Sequence, residues 1–229
     1  MQKALALDPG NVNVLANAAI FLVSLGRLQQ AESVYSYAIA RDPANALGYG
    51  NLNEVQYFAR HWTPSIINAR RTLELNPDYV GMHAKIGVAM LLGMDDAAAA
   101  LKEFQAEKDR FSRSVHMPLA LDALGRKSEA EAALSKVIAT HEKDASAPFI
   151  AAIYAQRGDA DNAFAWLDKA IRNQDWYLST AHTDPLYEPL HADPRWLPLM
   201  RELGTAPDQL AKIPFTVTLP DSASASTAK

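Results

Sequence analysis

An interval of 34 residues separates three copies of one short signature: Ala6-Leu7-Asp8-Pro9, Ala40-Arg41-Asp42-Pro43 and Glu74-Leu75-Asn76-Pro77. A period of that length marks a supersecondary unit that cannot bury its apolar side alone and must stack on copies of itself. Beyond Pro77 the prolines lose the count and the glycines keep it. Gly26 and Gly93 stand 67 apart, and Gly125 and Gly158 follow after 32 and 33. In the second unit the glycine's place is taken by Arg60.

Between these markers, small and apolar residues recur at helical spacing. The first unit has Leu15, Ala18, Ala19 and Leu22, then Ala31, Tyr35 and Ala38. The second has Tyr49, Leu52, Asn53 and Gln56, then Ser65 and Ala69. The third has His83, Ile86, Gly87 and Met90, with a second helix registered either on Ala98 or on Ala100 and Phe104. The fourth has Met117, Leu121, Gly125, Ala130 and Leu134; the fifth has Ile150, Ala151, Tyr154, Gly158, Ala163, Leu167 and Ala170. Small residues let two antiparallel helices approach, and larger ones at i, i+3 and i+7 fill the space between hairpins. Glycine supplies the left-handed turn that ends the first helix, and proline stops the second. The stripe is core packing rather than a heme or cofactor box.

These five units, over roughly Gln2 to Asp175, resemble tetratricopeptide repeats. The resemblance implies an all-α fold, an α-solenoid of antiparallel helix pairs with short C-terminal capping helices. Residues 1–10 read as the remnant of a preceding repeat helix, 11–175 as about five repeats, 176–212 as a capping segment and 213–229 as an extended, disordered tail. Asp221 to Lys229 is rich in Ser, Ala and Thr and lacks large apolar groups. Ser65, Arg60 and Thr72 make the second repeat degenerate. Pro118 falls inside a predicted helix, which it should kink or delay. Leu5 and Leu7 lie at an edge without a cap, so the chain is either the back half of something longer, the favoured expectation, or self-associates there.

The C-terminal part carries a nine-residue echo. His182, Asp184, Pro185, Leu186, Pro189 and Leu190 are matched by His191, Asp193, Pro194, Arg195, Pro198 and Leu199. Asp before Pro signals a helix start, so two short turns should fold over the last hairpin and bury Leu190, Trp196, Leu199 and Met200. From Leu91 to Leu203 the chain resembles the C-terminal repeat region of bacterial signalling proteins. There such repeats follow a winged-helix DNA-binding, nucleotide cyclase or Ser/Thr kinase domain, none of which is in this sequence.

Composition narrows function further. Net charge is −4 without a basic stripe, so direct nucleic-acid binding is not expected. Cysteine is absent, which removes thiol catalysis and thiolate metal sites. No apolar run approaches the roughly 18 residues of a membrane helix, and no basic-then-apolar leader begins the chain. The expected product is soluble and cytoplasmic by default, or periplasmic as part of a membrane-anchored regulator. His61, His83, His116, His141, His182 and His191 are scattered, and no nucleophile elbow, phosphate loop or zinc-protease motif occurs. The His182/Asp184/His191/Asp193 group lacks metal-ligand spacing. The expectation is a non-enzyme without metal or cofactor.

In repeats of the resembling family the first helix of each hairpin lines a concave groove. Projection places Asn13, Ile20, Val23, Leu47, Glu54, Tyr57, Val88, Leu91, Leu119 and Asp122 there, a mainly apolar surface suited to a helical or extended peptide. Repeats that hold the C-terminal carboxylate of chaperones carry paired Lys and Asn on these helices. The equivalent positions here are Ala16, Ile20, Gly50, Ala84 and Val88, which would leave a carboxylate unpaired. The expected function is therefore a protein-binding scaffold, or else the regulatory region of a signalling protein.

Overall fold

The computed structural model describes residues 2–8, 10–141 and 146–220. Helices run in the order α1 (Gln2–Leu7), α2 (Val12–Ser24), α3 (Leu28–Arg41), α4 (Ala46–Phe58), α5 (Trp62–Leu75), α6 (Met82–Met94), α7 (Ala97–Ala106), α8 (Arg110–Ala123), α9 (Lys127–His141), α10 (Ala147–Gln156), α11 (Ala160–Arg172), α12 (Trp196–Glu202) and α13 (Pro207–Leu210). Two 3-10 helices, Trp176–Thr180 and Pro185–Leu190, lie between α11 and α12. Among the described residues there is no strand. The helices pair as α2–α3, α4–α5, α6–α7, α8–α9 and α10–α11, and successive hairpins stack, for instance α3 on α4 and α5 on α6. This is the expected all-α solenoid.

Local chemistry sets the helix boundaries. Asn11, Asn45, Asp96, Asp109 and Asp159 each accept a backbone N–H of the first helical turn, satisfying donors that the helix itself leaves free. The hairpin turns need one left-handed residue. Gly26, Gly125 and Gly158 provide it with φ near 70°, and Arg60 adopts the same conformation at φ 59°.

The third turn departs from the expected pattern. Gly93 lies inside α6, and Asp95 takes the left-handed position at φ 53°. Gly93 is small for another reason: the Trp62 ring lies on it, so close that a Cβ would stand 2.2 Å from Trp62 Cγ. The register of α7 is settled on Ala100 and Phe104, both fully buried, while Ala98 is exposed.

The degenerate second hairpin closes on polar contacts. Asn53 Nδ2 donates to both the carbonyl and the Oγ of Ser65 at 2.8 Å. Asn68 donates to Gln56 at 2.7 Å, and Thr72 donates to the Asn68 carbonyl at 2.9 Å. Buried hydroxyls and amides that find partners are tolerated where unpaired ones would cost stability. Helix α8 continues through Pro118, which is buried. At the N-terminal edge Leu5 enters the core, whereas Leu7 is 87% exposed.

The C-terminal echo forms two short helical elements that bury Leu190, Trp196, Leu199 and Met200, but only the first starts on its Asp-Pro. Asp184 caps Pro185–Leu190, whereas α12 begins at Trp196, two residues past Pro194, because Asp193 accepts the Arg195 N–H in a separate turn. The segment from Trp176 onward does more than cover the last hairpin. The first 3-10 helix packs against α2, and the second packs against α10. The segment expected as a tail, 213–229, divides. Phe215 is buried with its ring 4.8 Å from that of Phe21, and Arg27 donates to the carbonyls of Ile213 (2.6 Å) and Phe215. Residues 213–220 are thus extended but packed on the first hairpin, because alternate apolar side chains there find a surface to cover. The expected disorder of Asp221 to Lys229 falls outside the described residues.

Candidate functional site

The first helices α2, α4 and α10 all contribute to the surface against which the chain's own residues 176–191 lie. At the centre of this contact is Asp184, 1% exposed. Its carboxylate accepts Tyr57 Oη–H at 2.9 Å, Tyr177 Oη–H at 2.7 Å and the Leu186 N–H at 2.9 Å. The capping bond was legible in the sequence; the two tyrosines were not. Burial, and then the Asp184 charge, push both phenols well above the ordinary tyrosine value, so they remain donors. A buried carboxylate persists only with such donors around it.

Further bonds hold the segment along the stack. Tyr187 Oη donates to the Pro148 carbonyl at 2.7 Å, and Gln156 Nε2 donates to the Leu186 carbonyl at 2.8 Å. The Phe149 ring lies 4.8 Å from that of Tyr177. Arg60 pairs with Glu188 at 3.2 Å, an exposed contact of small energetic weight. Arg195 bridges Asp193 and Asp161, both at 2.8 Å, and covers the Phe164 ring.

The ten projected groove residues therefore separate. Ile20, Val23 and Glu54 come together around a hollow of about 270 Å³ whose other walls include Phe58 and Trp176. Leu91, Leu119 and Asp122 come together around a second hollow of about 420 Å³, with Gln156 and Arg157. Tyr57 and Val88 are each 1% exposed and belong to the core. Asn13 and Leu47 are exposed and line neither hollow. Asp122 is not a free acceptor, since Arg157 Nε donates to it at 2.7 Å and Arg157 also reaches Glu131 at 3.1 Å. Trp176, 75% exposed at the edge of the first hollow, was missed because its exposure depends on where the returning segment sits.

The echo's other polar residues are engaged in packing or have no partner. Asp193 is held down to about 2 by Arg195 and the Arg195 backbone N–H. The His191 ring stacks on Trp196, centroids 4.8 Å apart. Both ring nitrogens of His182 are buried without a hydrogen-bond partner. Desolvation lowers the pKa of His116 and His182 from the usual 6.5, and of His191 too, where Arg60 adds to it. Their folded-state values lie below the unfolded one, so between the two the unfolded chain binds more protons. The stability they confer is complete above about pH 6.5 and is lost as pH falls below it. Denaturant midpoints should therefore drop between pH 7.5 and 5.5, and a flat or rising profile over that range would contradict this burial.

No model of a known protein family matches the chain. An Hsp70-Hsp90 organizing protein of Triticum aestivum is 33% identical over 82 residues, 36% of this chain but only 14% of that protein. Among solved structures, a thermophilic tetratricopeptide repeat protein of Thermus thermophilus superposes with a TM-score of 0.58 at 18% identity. The match covers 79% of this chain and 99% of that one. A tetratricopeptide repeat protein from Parabacteroides merdae gives 0.57 at 16% identity, covering 92% and 89%.

Proposed function

Because this chain is a tetratricopeptide repeat protein by fold, we propose that it is a scaffold without catalysis of its own. It holds a helical or extended peptide of a partner protein in the hollows beside its docked C-terminal segment. The observation that carries this reading is the first hollow. Ile20 and Trp176 stand 54% and 75% exposed over a floor containing Val23, Val55 and Phe58. Apolar side chains left in water at a concave site are covered when a partner's apolar residues dock there. Asn51, Glu54 and Ser179 on its walls supply polar contacts that would orient such a peptide. The exposed Leu7 edge supports a second, weaker contact between copies of the chain.

Local similarity to an Hsp70-Hsp90 organizing protein does not bring a carboxylate-holding site with it. The positions that would supply cation and amide are Ala16, Ile20, Gly50, Ala84 and Val88. Peptide-array screening of the purified chain, followed by calorimetric titration of the hits, tests the reading. Hits should lose about tenfold or more in affinity in Ile20→Glu or Trp176→Ala, as central apolar contacts do, with unchanged melting. Acidic chaperone-tail peptides should not bind. Equal affinity in both variants, or micromolar binding of an acidic tail, would count against it. Tyr57→Ala is unsuitable as a groove control, because it removes a core residue.

A further inference from the structure

A third cavity, about 630 Å³, lies where the turn of the first hairpin meets the C-terminal cap. Its apolar walls include Leu25, Trp196, Leu197 and Met200. The ionisable residues among its lining are all basic: Arg27, His182 and His191. Among the described residues no carboxylate lines it.

The basic residues have unusual company. Among the described residues, Arg27 donates to the neutral carbonyls of Ile213 and Phe215 and pairs with no acid. A guanidinium has five N–H donors and a permanent charge, so two carbonyl contacts leave both donors and charge uncompensated. The His182 ring lies over Gly26, where an added Cβ would stand 3.4 Å from its Nε2, and neither ring nitrogen has a hydrogen-bond partner among the described residues. His191 is held flat against Trp196. A partly desolvated cation inside an apolar wall is most stabilised by a single anionic group that brings its own apolar body.

We propose that this cavity binds an apolar monocarboxylate, its carboxylate on Arg27 beside the imidazoles and its hydrocarbon body against Leu25, Trp196, Leu197 and Met200. One permanent cation suits one negative charge. A phosphate dianion would leave its second charge without a cation against apolar walls, and an uncharged apolar ligand would leave Arg27 as it is. Such a ligand would touch the first hairpin and the cap together, and so brace the closure of the stack. The inference does not depend on peptide binding in the hollows.

The full chain should be titrated calorimetrically with decanoate below its micelle concentration, and with decanol as the uncharged control. A tripeptide ending in leucine is added as free acid and as amide. Saturable decanoate binding, at least tenfold tighter than decanol, is expected. Preference for the peptide acid over decanoate would identify a chain terminus as the source of the carboxylate; the reverse order identifies a free acid. Arg27→Gln should weaken binding of the acids at least tenfold, but it also releases residues 213–220. Leu197→Glu is therefore the second variant: the site is 46% exposed, and a carboxylate at the rim should abolish binding without altering the melting temperature. Absence of saturable binding by either acid, equal binding of decanol, or unchanged affinity in Leu197→Glu would overturn the proposal.

Discussion

Asp184→Ala should destabilise the protein by about 3–5 kcal/mol and release the C-terminal segment from α4 and α10. The magnitude follows from what the substitution strands. Two tyrosine hydroxyls, one of them on the fully enclosed Tyr57, and the Leu186 amide lose their common acceptor. Each buried donor left without a partner costs about 1–3 kcal/mol. Tyr57→Phe removes one donor and leaves the carboxylate with two, so its cost should be smaller, about 1.5–3 kcal/mol for a hydrogen bond to a charged group. Chemical denaturation measures both. Limited proteolysis should cut Asp184→Ala between residues 173 and 191 under conditions where the parent chain resists. A loss below about 1 kcal/mol, with no new cleavage, would mean that the aspartate is not the anchor the geometry makes it.

The second large effect is expected at the α6–α7 crossing. Phe104 is fully buried and lies on Gly87, where an added Cβ would stand 2.3 Å from the ring. Phe104→Ala should cost about 3–5 kcal/mol through lost burial and the cavity left behind. Gly87→Ala should also destabilise, although alanine is the better helix former by about 1 kcal/mol, because the methyl group has nowhere to go. The two should not add. In a Phe104→Leu background the alanine's clash is relieved, and its helix preference should turn the Gly87→Ala change neutral or favourable. A double-mutant cycle should give a coupling of more than about 1 kcal/mol. Additive values would show that the ring does not depend on the missing side chain.

These two sites differ in how they could be read. Gly87 and the Ala100–Phe104 register sit inside the repeat pattern, so the sequence already marked Gly87 as a place of close helix approach. Gly93 shows the limit of that reading. It keeps the count of the hairpin glycines, yet it accommodates Trp62 from the neighbouring hairpin while Asp95 makes the turn. Spacing identifies that a small residue is needed without saying which neighbour needs the room. Ser65 and Thr72 teach the converse, since residues that looked like decay of the pattern are paired with Asn53 and Asn68.

The candidate site was legible in part. Ile20, Val23, Glu54, Leu91, Leu119 and Asp122 do line hollows, because helical periodicity determines which side of a first helix they occupy. Tyr57 and Val88 lie on that side too, but they are covered. What covers Tyr57 comes from 127 residues farther along the chain, and no local pattern encodes which distant segment will reach it.

By itself, then, the sequence determined the paired helices, the hairpin turns at Gly26, Gly125 and Gly158, and the assembly as stacked hairpins. Each of these depends on residues within about 40 positions of one another, where spacing and side-chain size suffice. Only the tertiary structure decided that the stack closes on its own C-terminal segment, that Asp184 gathers two tyrosines, and that three basic residues share one apolar cavity. Those outcomes depend on single polar groups brought together across the whole length of the chain. A buried charge takes whichever donors the folded backbone delivers, and that delivery has no period to read.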